Sequence, residues 1–396
     1  MGKYLFAEAK DPVGALRKVV DMGIRRFYGD LRYRIYREKL FLTGRRKSQY
    51  MPIEKMDYPI DFVVTWVDGS DPEWQAEKAK YEKIVGIANS NTDNGEERYR
   101  DWDIFRYWFR AVEKYAPWVR NVFLVTWGHL PEWLDQECPK LKIVKHLDFI
   151  PEEYLPTFNC NPIEINLHRI HDLSEHFVYF NDDVFLSRPV EPEDFFRGGL
   201  PVYTAVSQPI WNDNNCDFYH MQFTTIGYTN TFFKGKIKKS VENFSEKWFA
   251  YQYGDMARRN LYIFDEECIL GMCFPHLGIA FKKSTFFKVW EDIPNCMAET
   301  SKHKFRTPKD LLHQIVSLWA MMEGAFSPVS FEHHGKNFWN PTQQKNELID
   351  AIRNEKYRMI CINDSQNVTR EQYSALKQEI QKVFEEALPV KSSFEK

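Results

Sequence analysis

The stretch "HFVYFNDDVFLSRPV" (residues 176–190) restricts the fold more than any other part of the chain. In an extended segment Val178 and Phe180 face one side and Phe177 and Tyr179 the other, so a strand here is apolar on both faces. Such a strand belongs inside a sheet that is covered on both sides, the arrangement of parallel α/β sheets. The surrounding chain agrees with this. From Ile60 onward strand-like runs ("DFVVTWV", "NVFLVTW", "LKIVKH") alternate with helix-like ones ("DIFRYWFRAVEKYA", "PIEINLHRIHDL"). The expected fold class is α/β, with an at least partly parallel sheet flanked by helices. Residues 190–300, rich in aromatics, Asn and Gly, read as an inserted region or lid. "TPKD" (307–310) reads as the start of a helix with Asp310 as a capping residue, and "TREQ" (369–372) as a capping box for a last helix.

Three of the expected strands end in aspartate: "FVVTWVD" at Asp68, "FVYFNDD" at Asp182 and Asp183, and "MICIND" at Asp364. Ligands of open α/β sheets sit beyond the carboxyl ends of the strands, so these acids are placed to converge. Carboxylates without Cys or His spacing suit Mg²⁺ or Mn²⁺, which prefer oxygen and share ligands with phosphates. A single Asp after a strand is more often a turn former, and Asp71 in "VDGSDP" is read that way. The pair His333–His334 lacks a third partner at metal-binding spacing.

Composition narrows the class. The chain has 396 residues, 43% hydrophobic and 28% charged, as ordinary globular proteins do. No run is long and apolar enough for a membrane span, and the N-terminus lacks the apolar core of a signal peptide. The seven scattered cysteines form no CxxC pair, which argues against a disulfide framework and a structural zinc, and for the cytoplasm. The net charge of −3 conceals a basic start, because residues 1–50 hold 13 Lys/Arg against 5 Asp/Glu. There Leu16, Val20, Ile24, Phe27, Leu31 and Ile35 recur at helical spacing, with Arg17, Lys18, Arg25, Arg26 and Arg32 off that stripe. Residues 12–40 either rest on an anionic membrane surface or pack on the main domain with a solvated basic face. No nucleic-acid partner is expected.

The motifs in order resemble the Stealth family, bacterial capsular and exopolysaccharide phosphotransferases related to the catalytic subunit of the lysosomal-enzyme N-acetylglucosamine-1-phosphotransferase. "IDFVVTWVDGSDPEW" (60–74) is similar to the first block of that family. "RYRDWDIFRYWFRAVEKYAPWVRNVFLVTWGHLPEWL" (98–134) with the segment 155–196 is similar to the second. "PHLGIAFKKS" (275–284) with residues 305–324 resembles the third, and "ICINDS" (360–365) the fourth. The family commonly carries Ser-His where this chain has Cys160 and Asn161.

The resemblance implies a nucleotide-binding sheet of the glycosyltransferase-A or Rossmann-like kind. It divides the chain into a basic segment and linker (1–56), a catalytic domain (57–366) and a C-terminal helix (367–396). It also implies transfer of a sugar 1-phosphate, as from a UDP-hexose or UDP-N-acetylhexosamine, to a hydroxyl of a glycan or lipid-linked oligosaccharide. On that basis Asp182, Asp183 and Asp364 match metal ligands (Mg²⁺ or Mn²⁺), and Asp68, Asn363 and Arg306 match donor-binding residues. His276 matches the general base and Arg306 the phosphate clamp, with Asp68 and Asp364 beside the chemistry. Two other readings remain: a metal-dependent glycosyltransferase releasing a nucleoside diphosphate, and a non-catalytic glycan-binding protein.

Overall fold

A computed structural model of the chain describes residues 12–55, 57–86, 102–211, 216–363 and 370–396. Asp364 and the start of the expected capping box therefore lie outside the described residues. The strands are β1 (Ile60–Thr65), β2 (Val122–Thr126), β3 (Leu141–Lys145), β4 (His176–Asn181), β5 (Val184–Leu186), β6 (Phe196–Arg197), β7 (Leu200–Tyr203), β8 (Ile279–Lys282), β9 (Ser327–Pro328), β10 (Gly335–Phe338) and β11 (Met359–Ile362). A central sheet runs β3-β2-β1-β4-β8, with the first four strands parallel and β8 antiparallel at the edge. Two smaller sheets run β10-β11-β5 and β6-β7-β9. The fold is thus mixed α/β with a largely parallel central sheet.

β4 is buried as its sequence requires. Val178 and Phe180 join Phe62, Val64, Trp108 and Phe109 in the core on one face. Phe177 and Tyr179 join Val63, Phe123, Ile165 and Phe281 in the core on the other. Helices Phe105–Tyr115 and Arg370–Ala387 cover the first face, and Cys160–Asn166, Lys283–Asp292 and Gln314–Met322 cover the second. The opposite ends of the strands are pinned by Asp61, which is wholly buried. Its carboxylate accepts from Arg120 Nε (2.8 Å), Asn121 N (3.2 Å) and Ser174 N (2.8 Å), tying the starts of β1, β2 and β4 together.

Residues 190–300 supply β8 and a group of helices over the second face, including Asp217–Phe232 and Asn260–Glu266. These helices also seat the long N-terminal helix, Pro12–Ser48. Tyr33 Oη and Arg37 Nη1 donate to Asp265 (2.7 and 2.6 Å), and Tyr36 Oη donates to Glu242 (2.8 Å). Phe41 meets Phe249 edge-on at 5.5 Å, and a Cβ at Gly44 would collide with the Ser245 carbonyl. One local expectation fails. The helix expected to open at Thr307 begins at Gln314, and "TPKD" is a turn whose Asp310 side chain is taken up by distant partners.

Several histidines are buried neutral. Burial pushes His168 and His334 down to about 3, and His146 and His333 to about 4. His334 Nε2 lies 3.2 Å from Thr204 Oγ1, and His333 Nε2 lies 2.9 Å from the Asp194 carbonyl, so this pair is built into the packing. The unfolded chain protonates these rings near pH 6.5, the folded chain far lower. The stability they contribute is therefore full above about pH 6.5 and is lost as pH falls toward the folded values, by at most about 1.4 kcal/mol per pH unit for each ring. His168, which stacks on Phe286 at 5.5 Å, tests this. His168→Phe is expected to flatten the fall in unfolding free energy between pH 7 and 5 by up to about 1.4 kcal/mol per unit. Parallel urea-denaturation series on the two proteins check it, and identical slopes would refute it.

Candidate active site

Asn181 is the last residue of β4 in register with β1, opposite Thr65. Asp182 and Asp183 then form the turn that carries the chain out of the central sheet into β5. β11 approaches antiparallel to β5, pairing Cys361 with Val184, and Ile362 N donates to the Asp183 carbonyl (2.9 Å). Two of the three acid-tipped strands, β1 and β4, are therefore neighbours in the central sheet, whereas the third belongs to the second sheet and still reaches Asp183. Asn363 follows β11, with its N–H bonded to the Phe338 carbonyl (3.2 Å).

Asp183 Oδ2 lies 3.4 Å from His276 Nε2 and accepts from Cys361 Sγ (3.3 Å). Asp183 Oδ1 is buried without a hydrogen-bond partner among the described residues. Burial alone would raise the Asp183 carboxyl, but the His276 charge and the hydrogen bonds from His276 and Cys361 hold it below the usual carboxylate range. For His276 burial works downward, yet the Asp183 carboxylate outweighs it and lifts the imidazole above its ordinary value. Glu164 adds to that rise and Arg306 opposes it, which places both charges near the ring. Burial, reinforced by Asp183, pushes the Cys361 thiol far up, so it stays a neutral donor.

Arg306 Nη2 donates to Cys160 Sγ (3.1 Å) at the start of helix Cys160–Asn166. The helix carries Glu164, which is buried against His313 Nδ1 (2.7 Å) and accepts from Tyr179 Oη (3.0 Å). Asn181 Nδ2 donates to the same hydroxyl (3.1 Å), so a polar chain runs from the end of β4 to the helix. Burial raises the Glu164 carboxyl, and His313, Tyr179 and Arg306 together bring it below its ordinary value. The loop carrying Arg306 is held by Asp310, which is fully buried. It accepts from Asn159 Nδ2 (2.7 Å), Asn161 Nδ2 (2.8 Å) and Thr307 Oγ1 (2.9 Å), and it meets His303 Nδ1 at 2.6 Å. Asn161 is thus a structural brace, and of the Cys160–Asn161 pair it is Cys160 that touches the arginine.

Asp68 lies just beyond β1 at the same edge as Asp182. Its Oδ1 accepts from Ser70 N (2.8 Å) and Ser70 Oγ (2.6 Å), shaping the turn in which Asp71 caps helix Pro72–Val85. Two further groups border the site. Trp339, 60% exposed, lies nearly parallel to His276 at 6.3 Å between ring centroids. Asn337 sits in register with Cys361, and its side-chain nitrogen and oxygen are buried without a hydrogen-bond partner among the described residues. Sequence reading missed Glu164, His313, Asn337 and Trp339. Only Glu164 left a trace, as a charge in the otherwise apolar "PIEIN".

An α/β sheet with paired acid, imidazole and guanidinium groups gathered beyond its strand ends is an enzyme-like arrangement. Comparison with known proteins gives the family. Residues 58–86 match the model "Stealth protein CR1, conserved region 1" and residues 98–201 match "Stealth protein CR2, conserved region 2". A capsular polysaccharide phosphotransferase WcwK of Streptococcus pneumoniae is 41% identical over 85% of this chain and 99% of its own. The receptor polysaccharide phosphotransferase WefC of Streptococcus oralis is 38% identical over 85% of this chain and 99% of its own. The exopolysaccharide phosphotransferase cps2G of Lactiplantibacillus plantarum is 38% identical over 86% and 97%. The chain belongs to the Stealth family. Among solved structures, the galactosyltransferase LgtC aligns over 80% of this chain and 95% of its own at 10% identity and a TM-score of 0.33, a likeness that carries no weight here.

The Asp310 brace makes a clear expectation. Asp310→Ala leaves the Asn159 amide buried without an acceptor, at roughly 1–3 kcal/mol, and leaves the Asn161 amide only the weak Met221 thioether acceptor (3.1 Å). Urea denaturation should show that loss, with activity falling because Arg306 is no longer held. An Asp310→Ala protein as stable as the parent would remove the brace.

Proposed function

We propose that the protein transfers a sugar 1-phosphate from a nucleotide sugar to a hydroxyl of a glycan or lipid-linked oligosaccharide, forming a phosphodiester in capsule or exopolysaccharide synthesis. The observation that carries this reading is the pairing of His276 with Asp183 at the end of β4, with the charge of Arg306 acting on the same imidazole. The relatives named above as polysaccharide phosphotransferases support it.

In this reading the acceptor oxygen bonds to the phosphorus that carries the sugar. The bond from that phosphorus to the oxygen of the nucleoside monophosphate breaks, and His276 takes the proton of the attacking hydroxyl on Nδ1, because its Nε2 faces Asp183. Asp183 orients the ring and strengthens it as a base. Arg306 faces the phosphoryl oxygens as a planar donor, with Cys160 and the Asp310 brace limiting its movement. The exposed indole of Trp339 offers a flat surface for a sugar or base beside the reacting atoms.

A divalent cation fits the acid end of the site. The partnerless Asp183 Oδ1 is a free hard-oxygen donor, whereas Cys361, held as a thiol, is no ligand for Mg²⁺. Asp182, Asp183 and Asp364 would hold the ion, which would neutralise the donor's diphosphate.

Two expectations follow from these roles. His276→Ala should keep donor binding and lose turnover by roughly 10²–10⁴-fold, and Arg306→Lys should be nearly as damaging as Arg306→Ala. The same assay identifies the leaving group. Nucleoside monophosphate with a phosphodiester signal in phosphorus NMR is expected, and nucleoside diphosphate would make the protein a glycosyltransferase instead. Separately, EDTA should abolish activity and Mg²⁺ or Mn²⁺ restore it, while Asp182→Asn and Asp183→Asn lose activity with an unchanged circular dichroism spectrum. Full activity in EDTA would dismiss the metal.

A further inference from the structure

The N-terminal helix meets the domain through its C-terminal part and is exposed on every side over residues 16–32. Its contacts with the body come from the part between Tyr33 and Ser48, Glu38 and Arg45 included. Five of the six stripe residues, Leu16 to Leu31, precede all of these contacts along the helix. The stripe is open along its length: Leu16, Val20, Ile24, Phe27, Leu31 and Ile35 are 42–64% exposed. Packing of this helix on the domain therefore does not account for the stripe.

We propose that the stripe docks on an anionic lipid surface, with the helix lying in the plane of the interface. Charge favours this occupant. Residues 12–48 carry 11 Lys/Arg against 3 Asp/Glu, so the cations beside the stripe reach phosphate headgroups while the apolar residues enter the acyl boundary. Phe27 and Tyr28, 64% and 58% exposed, add aromatic bulk of the kind found at bilayer interfaces. A second copy of the chain fits less well, because stripe-to-stripe pairing of two such helices brings their arginines together. Among the described residues no helix is long and apolar enough to cross a membrane, so the contact lies on the surface. The proposal is independent of the chemistry assigned to the active site.

The test uses the full chain in flotation assays with vesicles of phosphatidylcholine alone or mixed with phosphatidylglycerol. Binding is expected to the mixed vesicles only, weakening at least tenfold in 1 M NaCl, where screening shortens to about 3 Å. Ile24→Asp/Phe27→Asp alters only exposed positions, so it should keep the parent melting temperature and lose at least tenfold in vesicle affinity. Failure of the parent to float with phosphatidylglycerol, or undiminished flotation of the double variant, overturns the proposal. A parent dimer in light scattering that the double variant converts to monomer also overturns it, in favour of a second copy.

Discussion

Everything at the site depends on how β4 is allowed to end. A strand buried on both faces must have every backbone group paired, and β4 has β1 on one side and β8 on the other. That pairing holds through Asn181 beside β1 and stops there. The next two residues are carboxylates that cannot stay in the apolar layer unpaired, so the chain turns out of the sheet at Asp182 and Asp183. The turn delivers β5 to a second sheet, and the second sheet brings β11 back against Asp183. The greasy strand and the acid turn are one device: the first fixes the height at which the second emerges.

The site balances its charges in pairs. Asp183 faces His276 and Glu164 faces His313, each carboxylate held down and each partner buried or half-buried. Arg306 acts on both pairs, lowering Glu164 and opposing the rise of His276. In an interior of low effective dielectric such groups are strongly coupled, so a change at one position is expected to be felt at the others. Cys160 links that arginine to the helix carrying Glu164, and a thiol there is a weaker acceptor than a hydroxyl. Cys160 and Asn161 thus bear on the arginine and on the loop that carries it.

What was legible in the sequence was local and periodic. The two-sided burial of Phe177 to Phe180, the acid pair after it and the alternation of strands and helices all follow from side-chain spacing, and the central sheet has them. Asp71, expected only to form a turn, also caps helix Pro72–Val85, which was not among the expected helices. What could not be read was partnership across the chain. Asp310 looks like a cap because it stands three residues after Thr307, but its carboxylate answers Asn159 and Asn161, some 150 positions away, and the helix starts later. Glu164 and His313 are separated by 149 positions and carry no shared motif. The N-terminal stripe was visible as a helical face, yet the sequence does not say which part of the helix meets the domain, since Tyr33, Tyr36 and Gly44 carry that information only once their partners are in place.

The manner in which that helix is anchored has a mechanical consequence. Gly44 lets the backbone come against Ser245 so closely that no side chain fits between them, and the tyrosine and arginine contacts extend the joint to residue 33. Beyond the joint some twenty residues continue as one helix, a rod of roughly 30 Å at 1.5 Å per residue. A rod clamped at one end is an outrigger rather than a tether. Whatever it rests against meets the rest of the molecule at a fixed tilt, and the mouth beyond β4 is aimed in one direction instead of swinging through many.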